Sequence, residues 1–494
     1  MSSTNASAAV YGGDEINAIV LDPGSYSTRI GYAGDDFPKV IVPSWYAQDE
    51  DGTKRFDSAL DYPKTKREVL PLMQDGMVED WDAAMAQYRH YFDGILALDY
   101  KEQPLLVTEP VWAPQKYRQR LVETFYEEFE FPALYLAKTP TCISFQQGRS
   151  SCLVVDIGHD SASVVPVVDG MCLLKNSMRT NYAGRFLNDH IRDLLSAKFS
   201  GLDLSPKYKV KEKTPVTYPA AADFTPRTLP GEITQSFDDY QQQKIFTEFK
   251  ELLLEAPDKK ISPKASPKDT YQQEEHERSM ELPSGQSLEV SQERFSITDA
   301  LFEPGLHPFH DKSYADKYPA NNGEMSISSP YDDYRPLKRA RKTDTGQATP
   351  TPAPENGAST SGAGSSTSNS AGGSSSASSG GASANVIRGL SQMITHSLSS
   401  VDIDLRTSIA HNVIVTGGTS LIPQLTERLN TELSSANPGL KVRLHALGNA
   451  NERTNQTWIG GSVLASLGAF HQMWVSKAEY EEVGAERIFT QRFR

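Results

Sequence analysis

The amino-acid sequence predicts an α/β protein built from two duplicated halves, and three observations lead to this prediction. Short apolar runs that end abruptly in Asp, Glu or Gly alternate with helical patterns, as the strands of a buried sheet do. One strand and its turn occur twice, in "AIVLDPGSYSTRIGYAG" and in "CLVVDIGHDSASVVPVVDG". The chain has 494 residues, more than one compact core usually contains.

Composition narrows the classes of function. The formal net charge of −14 argues against a general binder of the nucleic-acid backbone and leaves at most a local contact with DNA. Cys142, Cys152 and Cys172 lie in or beside apolar runs without the spacing of a disulfide framework or a zinc site, so reduced core thiols are expected. No apolar run approaches the roughly 18 residues of a membrane span, and a soluble protein that contacts no membrane is expected.

Strands are predicted where β-branched residues cluster: "AIVLD", "PLLVTEP", "SCLVVDIG" and "HNVIVTGG". A helix is predicted around Ile245 to Leu254. A second helix is predicted near the C-terminus, where Val463, Leu467, Phe470 and Trp474 are spaced to form one apolar face directed at the core.

Polar tracts interrupt these elements. Irregular structure is predicted for residues 205–235 and 257–278 and for the turn-rich segment 307–342, whose Tyr and Phe side chains could attach parts of it to a surface. Residues 343–385 lack the large apolar side chains that a core requires, so a disordered insert is expected there, with structure resuming at Val386. A basic run immediately before residue 343 suits either a nuclear import signal or a solvated surface, and it comprises Lys338, Arg339, Arg341 and Lys342.

The repeated strand and turn indicate a nucleotide site. Each copy contains Asp-x-Gly, at Asp22 and at Asp156, and a hairpin turn of this kind exposes backbone N–H groups that suit a phosphate. A carboxylate at each strand end could hold a magnesium ion through its water shell. A single Asp-x-Gly turn is weak support because both residues favour turns for local reasons. The pair gains weight from Gly417-Gly418, which follow a third strand and precede a predicted helix whose N-terminus would favour an anion.

This order of elements resembles the superfamily of actin, Hsp70 and sugar kinases. Several sequence motifs are similar to those of actin and its relatives in particular. These motifs are "GYAGDDFPKVIVPS", "LLVTEPVW", "ALFEP" and "WIGGSVLASLGAFHQMWVSKAEYEEVG". The chain is most similar to nuclear actin-related proteins in four features: the N-terminal segment "VYGGDE", the second hairpin, the position of the insert and the ending "RFR". The resemblance implies an actin-like fold with a nucleotide cleft: a first lobe at 1–158, a second at 159–306, the insert at 307–385, and a segment 386–494 that completes the second lobe and returns to the first.

The resemblance also implies an ATP site, with Mg²⁺ held through water by Asp22 and Asp156. The first phosphate turn would comprise Asp22, Gly24, Ser25, Tyr26 and Arg29, and the second Asp156, Gly158 and His159. The family's nucleoside-binding positions fall on Gly184, Arg185, Lys250, Glu251, Gly417, Gly418 and Thr419.

Departures from the family pattern predict a binder of ATP with little or no hydrolysis and no catalytic residue. Thr139 stands where actin has a glutamine that orients the attacking water, and Ser163 replaces a histidine that relays the proton. His159 replaces a carboxylate, Tyr26 replaces a glycine, and Thr454 replaces a lysine that contacts adenine. The alternative is an active ATPase or small-molecule kinase of the same fold.

Partners are implied by the resemblance as well. The protein is expected to be a nuclear subunit of chromatin remodelling and histone acetyltransferase complexes, paired with an actin monomer on a scaffold helix that lies in an apolar groove opposite the nucleotide. Its acidic surface would suit histones or nucleosomes. A homopolymer is not expected, because the stretch from Pro43 to Arg67 is shorter than its actin equivalent and lacks the apolar and glycine pattern of the loop that docks the next subunit. The polar insert also follows Phe302-Glu303-Pro304. The alternative is a cytoskeletal polymer.

Overall fold

The computed structural model of this chain describes residues 18–261, 276–318, 325–326 and 389–493. The strands of the first 150 residues are β1 Ile19–Pro23, β2 Ser27–Tyr32, β3 Val40–Pro43, β4 Trp45–Gln48, β5 Lys54–Arg55, β6 Glu68–Pro71, β7 Met73–Gln74, β8 Met77–Val78, β9 Leu105–Glu109 and β10 Ala133–Lys138. The later strands are β11 Cys152–Ile157, β12 Ala162–Val168, β13 Met171–Cys172, β14 Met178–Thr180, β15 Val210–Thr214, β16 Val216–Thr217, β17 Asp223–Pro226, β18 Arg278–Glu281, β19 Gln286–Val290, β20 Met325–Ser326, β21 Val413–Thr416, β22 Leu444–His445 and β23 Val475–Ser476.

Helices lie between and beside these strands. They are α1 Trp81–Arg89, α2 Gln115–Glu123, α3 Thr139–Gln146, α4 Gly184–Lys198, α5 Gln235–Leu253, α6 Gln292–Asp299, α7 Ser313–Lys317, α8 Leu390–Ser400, α9 Ile403–Ala410, α10 Leu425–Ala436, α11 Ala450–Ser466 and α12 Lys477–Gln491. In the described parts of the chain, no helix combines the length and apolar character that a membrane crossing requires.

Two sheets form the centres of two lobes, which confirms the predicted α/β fold with duplicated halves. The first sheet has six strands in the order β23-β10-β9-β1-β2-β3. The second has seven: six lie in the order β20-β14-β12-β11-β21-β22, and β13 pairs with β12 outside this order. All five residues of β1 are buried, because the sheet is covered on both faces. In each sheet the Asp of the repeated hairpin lies opposite the residue seven positions later, Arg29 for Asp22 and Ser163 for Asp156.

The first lobe ends before residue 158, the boundary that the sequence predicts. Strand β11 pairs with β12 and β21 in the second sheet, so the residues from Cys152 onwards belong to the second lobe. The lobes join through α3 and α11, which pack so closely that Gly460 lies against the backbone of Cys142. Gly461 places the other side of α11 on Val20 and Leu106 of the first sheet.

The predicted C-terminal helix is wrong in its extent. Helix α11 ends at Ser466, because Leu467 adopts an extended backbone with φ −72° and ψ 130° and a 3-10 turn over Gly468–Gln472 follows. Phe470 is buried, whereas Val463 and Leu467 are 39% and 42% exposed, so the apolar spacing does not form one buried face. The break lets β23 pair with β10, a tertiary contact that the local pattern does not contain.

The polar tracts contain more structure than their composition predicts. Within 205–235, β15 pairs with β17, and β16 pairs with β19. In the 307–342 segment, Phe309 stacks on His190 of α4 with ring centroids 3.9 Å apart, as expected for an aromatic attachment. Most of 257–278, the basic run at 338–342, the insert at 343–385 and Val386 lie outside the described residues. The predicted core thiols are confirmed, because Cys142 and Cys152 are buried and unbridged and Cys172 is unbridged and partly buried.

The lobes meet again away from α3 and α11. A buried cluster that we call the outer contact joins side chains of the first lobe to side chains of the second, namely Ala47, Leu60 and Val69 with Tyr208, Phe237 and Tyr240. Hydrogen bonds surround it: Gln241 Nε2 donates to the Leu60 carbonyl at 2.7 Å, and the Thr234 hydroxyl donates to the Arg67 carbonyl. Helix α5 extends from this contact to Lys250, about 20 Å further along its axis.

Candidate nucleotide-binding site

A cleft of about 720 Å³ separates the two lobes. Its walls are the two repeated hairpins, the segment 416–423 after β21, the C-terminal part of α5 and the first turns of α11. Thirteen of the fifteen residues that the sequence predicts for the cofactor lie in these walls: Asp22, Gly24, Ser25, Tyr26, Arg29, Asp156, Gly158, His159, Lys250, Glu251, Gly417, Gly418 and Thr419.

The turn of the first hairpin presents unpaired backbone amides. Gly24 N–H donates to the Ser27 carbonyl at 3.2 Å, which closes the turn. Within the described part of the chain, the amides of Ser25 and Tyr26 have no hydrogen-bond partner. The Ser25 hydroxyl accepts the N–H of Gly76 at 2.9 Å, which ties this turn to the β7-β8 hairpin.

The second turn repeats this arrangement. Gly158 N–H donates to the Ser161 carbonyl at 3.0 Å, and the amides of His159 and Asp160 have no partner among the described residues. The carbonyl of Gly158 accepts both the N–H of Gly184 at 3.1 Å and the Thr419 hydroxyl at 2.8 Å. Two concave turns with free N–H groups at one cleft fit an anion such as the phosphates of a nucleotide.

The two carboxylates of the hairpins differ in their partners. Asp22 accepts from the Thr108 hydroxyl at 2.5 Å and from Arg29 at 3.1 Å, so both of its oxygens are engaged. No described residue donates a hydrogen bond to the Asp156 carboxylate, and burial together with the charge of Asp22 raises the pKa of Asp156 to about 6. A cation would stabilise this carboxylate, so Asp156 fits the hydrated magnesium that the sequence predicts better than Asp22 does. Among the described residues no three His, Cys, Asp or Glu side chains converge on a direct metal site.

The third element differs from its prediction. Gly417 has φ +88°, and Gly418–Leu421 form only a short 3-10 turn, while the long helix α10 begins at Leu425. An N-terminal helix site for an anion therefore does not exist here. Gly417 instead allows close packing, because a Cβ there would overlap the Ile157 carbonyl and lie 2.6 Å from Asp156 Oδ1.

This geometry predicts different outcomes for two adjacent substitutions. Gly417→Ala is expected to destabilise the protein by about 3 kcal/mol, because the new methyl meets backbone and the positive φ is strained. Gly418→Ala is the matched control, because among the described residues its Cβ would meet only Thr454 Cγ2, in ordinary contact at 3.8 Å, and a change below about 1 kcal/mol is expected. Urea unfolding of both variants measures the difference, and equal free energies of unfolding would contradict the packing role of Gly417.

Gly184 and Arg185 are not among the residues that line the cleft. They begin α4 behind the second turn, where Arg185 N–H donates to the His159 carbonyl at 2.7 Å and its guanidinium pairs with Asp160 at 2.9 Å. The Gly184 carbonyl accepts from Lys250 Nζ at 3.2 Å, and burial lowers the pKa of Lys250 to about 8.

Two residues near the first turn were missed from the sequence. Thr108 is the last residue but one of β9, the strand beside β1, and its hydroxyl binds Asp22; a polar residue near the end of a predicted strand was the available signal. Asn455 of α11 accepts from Arg29 Nε at 2.6 Å across more than 400 residues of sequence, so no local pattern could have identified it.

At the positions that depart from the family pattern, the side chains make hydrogen bonds, ring contacts or buried contacts within the protein. The Thr139 hydroxyl donates to the Glu109 carbonyl at 3.3 Å, and Ser163 is buried in β12. The hydroxyl of Thr454 donates to carbonyls of its own helix, to Ala450 at 2.9 Å and Asn451 at 3.1 Å. The Tyr26 and His159 rings face each other with centroids 5.2 Å apart.

Comparison with known proteins agrees with this geometry. The sequence profile of the actin family matches residues 13–493. Proteins named actin-related protein 4 are similar over their whole length: 56% identity in Debaryomyces hansenii and 49% in Candida albicans, each covering 100% of both chains. The protein of that name in Saccharomyces cerevisiae is 38% identical, covering 99% of this chain and 100% of its own.

Proposed function

Because this chain belongs to the actin family, we propose that it is a non-catalytic, nucleotide-holding subunit of nuclear chromatin remodelling and histone acetyltransferase complexes. The proposal combines two features of the molecule. The cleft keeps the groups that would bind a nucleotide, and its catalytic positions are replaced. A second, apolar surface lies at the far end of α11 and suits a partner helix.

ATP is the nucleotide that the proposal assigns to the cleft, with Mg²⁺. The unpaired amides of Ser25, Tyr26, His159 and Asp160 would bind its phosphates. Asp156 would hold the metal through water, and Lys250 and Glu251 of α5 would face the nucleoside. When bound, the metal would offset the phosphate charge beside these carboxylates.

The lowered pKa of Lys250 predicts how nucleotide affinity depends on pH. Below about pH 8 the buried ammonium is charged and favours an anionic ligand, and above that pH the charge is lost. We expect the affinity for ATP to fall as the pH rises from 7 to 9, by at most about tenfold for each pH unit above 8. Equilibrium titration with a fluorescent ATP analogue measures this profile.

The control for the pH prediction is Lys250→Arg, which stays charged throughout this range. Its affinity profile is expected to be flat between pH 7 and 9. A fall of equal size in the variant and in the wild type would show that a different group titrates.

A patch of exposed apolar side chains is the observation that carries the proposed partner contact. Helix α11 lines the cleft with its first turns, and its last turns lie more than about 10 Å further along its axis. There Val463 and Leu467 are exposed, as is Phe145 at the end of α3. Phe145 lies 3.7 Å from the Cβ position of Gly170, which places the 67% exposed Met171 next to it. An apolar groove of this kind suits the apolar face of a scaffold helix.

Affinity purification from nuclear extract tests the function. We expect actin and subunits of the helicase or acetyltransferase type to co-purify with the wild type. Leu467→Asp is expected to remove the scaffold subunit, while the matched control Ile403→Asp, at an exposed position on α9, is expected to retain it. Recovery of only cytoplasmic motor proteins would contradict the proposal.

Nuclear location and histone binding belong to the same proposal. The net charge of −14 would favour basic histone tails, with binding that weakens as salt rises. The basic run at Lys338, Arg339, Arg341 and Lys342 is the candidate import signal. Replacing these four residues by alanine is the direct test, with the location of a fluorescent fusion as the readout.

A further inference from the structure

We propose that Tyr26 and His159 form an aromatic latch that closes the phosphate end of the cleft and retains the bound nucleotide. This inference rests on the proposed nucleotide binding and concerns two side chains whose positions in the duplicated hairpins make them face each other. Tyr26 belongs to the turn of the first hairpin, and His159 to the turn of the second. Their ring centroids are 5.2 Å apart and the rings are tilted by 52°. This geometry is typical of an attractive aromatic pair.

The His159 side of the latch is held firmly in place. Its carbonyl accepts the N–H of Arg185 at 2.7 Å, and the preceding carbonyl of Gly158 is bound by Thr419. The side chain of His159 is only 12% exposed. Burial and the nearby positive charges of Arg185, Lys250 and Lys317 hold its pKa well below the usual value, so the ring is a neutral aromatic surface at physiological pH.

The Tyr26 side connects the latch to the outer contact. The Tyr26 carbonyl accepts the N–H of Ser44 at 3.1 Å, and the Ser44 hydroxyl donates to the Gly24 carbonyl at 2.5 Å. Ser44 immediately precedes β4, which contributes Ala47 to the outer contact. Hydrogen bonds through Ser44 therefore link the turn that carries Tyr26 to the start of β4, and through β4 to the outer contact.

The location of the latch explains how it would act. Phosphates bound to the free amides of residues 25, 26, 159 and 160 would lie between the two turns, and the ring pair bridges these same turns. A nucleotide could leave in that direction only after the rings separate. Ser44 links the turn of the latch to β4 and so to the outer contact. Opening the latch would therefore also loosen the outer contact.

Release of a fluorescent ATP analogue, chased with excess ATP, is the experiment. Tyr26→Ala removes the ring but keeps the backbone amide, and we expect release at least about fivefold faster. Tyr26→Phe is expected to rescue slow release, because the ring is kept. Tyr62→Ala, the same change at an exposed position, is the control that should release at the wild-type rate.

A second readout does not require nucleotide. In the ligand-free protein, amide hydrogen exchange at Ser44 and in β4 is expected to be faster in Tyr26→Ala and unchanged in Tyr26→Phe. Unaltered release and exchange in Tyr26→Ala would overturn the latch while leaving nucleotide binding intact. A wild-type protein that binds no nucleotide would instead overturn the proposed nucleotide function and the latch together.

Discussion

Replacing Gly460 by alanine is expected to destabilise this protein by about 3 kcal/mol or more. Gly460 lies in the middle of α11, where a Cβ would overlap the carbonyl oxygen of Cys142 in α3. Backbone cannot move aside as a flexible side chain can, so the two helices that join the lobes would have to separate. Separation would expose Trp458, which is fully buried beside them and donates through Nε1 to the Val20 carbonyl at 3.0 Å.

Gly468→Ala provides the matched control for this prediction. Gly468 follows α11 in the 3-10 turn, and apart from its chain neighbours no heavy atom of the described residues lies within 4 Å of a Cβ placed there. Its free energy of unfolding is expected to stay within about 0.5 kcal/mol of the wild type. Denaturant unfolding followed by circular dichroism measures both variants, and a Gly460→Ala protein as stable as Gly468→Ala would refute the close helix contact.

Hydrolysis of bound ATP is expected to be slower than in actin by at least about a hundredfold. Phosphoryl transfer depends on a positioned water, and the residue at the water-orienting position is Thr139. Its short side chain already donates to the Glu109 carbonyl, so it is committed to the start of α3. Ser163 offers a hydroxyl in place of an imidazole and lies buried within β12.

Single-turnover hydrolysis of radiolabelled ATP measures this rate, with actin in parallel. The fraction of sites filled must be determined in the same sample, so that slow turnover is not confused with an empty cleft. A rate comparable to that of actin would contradict the non-catalytic proposal and favour the alternative of an active ATPase.

Much of the site could be predicted because its signals are local. An apolar strand that ends in Asp-x-Gly specifies both a buried strand and a tight turn within a few residues, and the chain contains this pattern twice. The predicted hairpins at Asp22 and Asp156 are confirmed by the pairing of β1 with β2 and of β11 with β12. Both turns line the cleft, as does Gly417, which is distant in sequence.

Errors arose where distant segments decide the outcome. The spacing of Val463, Leu467 and Phe470 favours one helix, yet the pairing of β23 with β10 requires the chain to turn after Ser466. Strands β15 and β17 are mostly polar and pair through backbone groups, so no alternation of apolar side chains in the sequence marks them as strands.

The sequence by itself determined the fold class, the duplication and the residue types at the phosphate turns, because strand periodicity and turn chemistry are properties of neighbouring residues. The tertiary structure decided what those residues contact. Packing of β9 beside β1 brings Thr108 to Asp22, and packing of the two lobes places Tyr26 on His159, while the Asp156 carboxylate has no hydrogen-bond donor among the described residues. The contacts of Asp22 with Thr108 and of Tyr26 with His159 join residues more than 80 positions apart, and such contacts are set by how α3, α11 and the two sheets pack rather than by any local pattern.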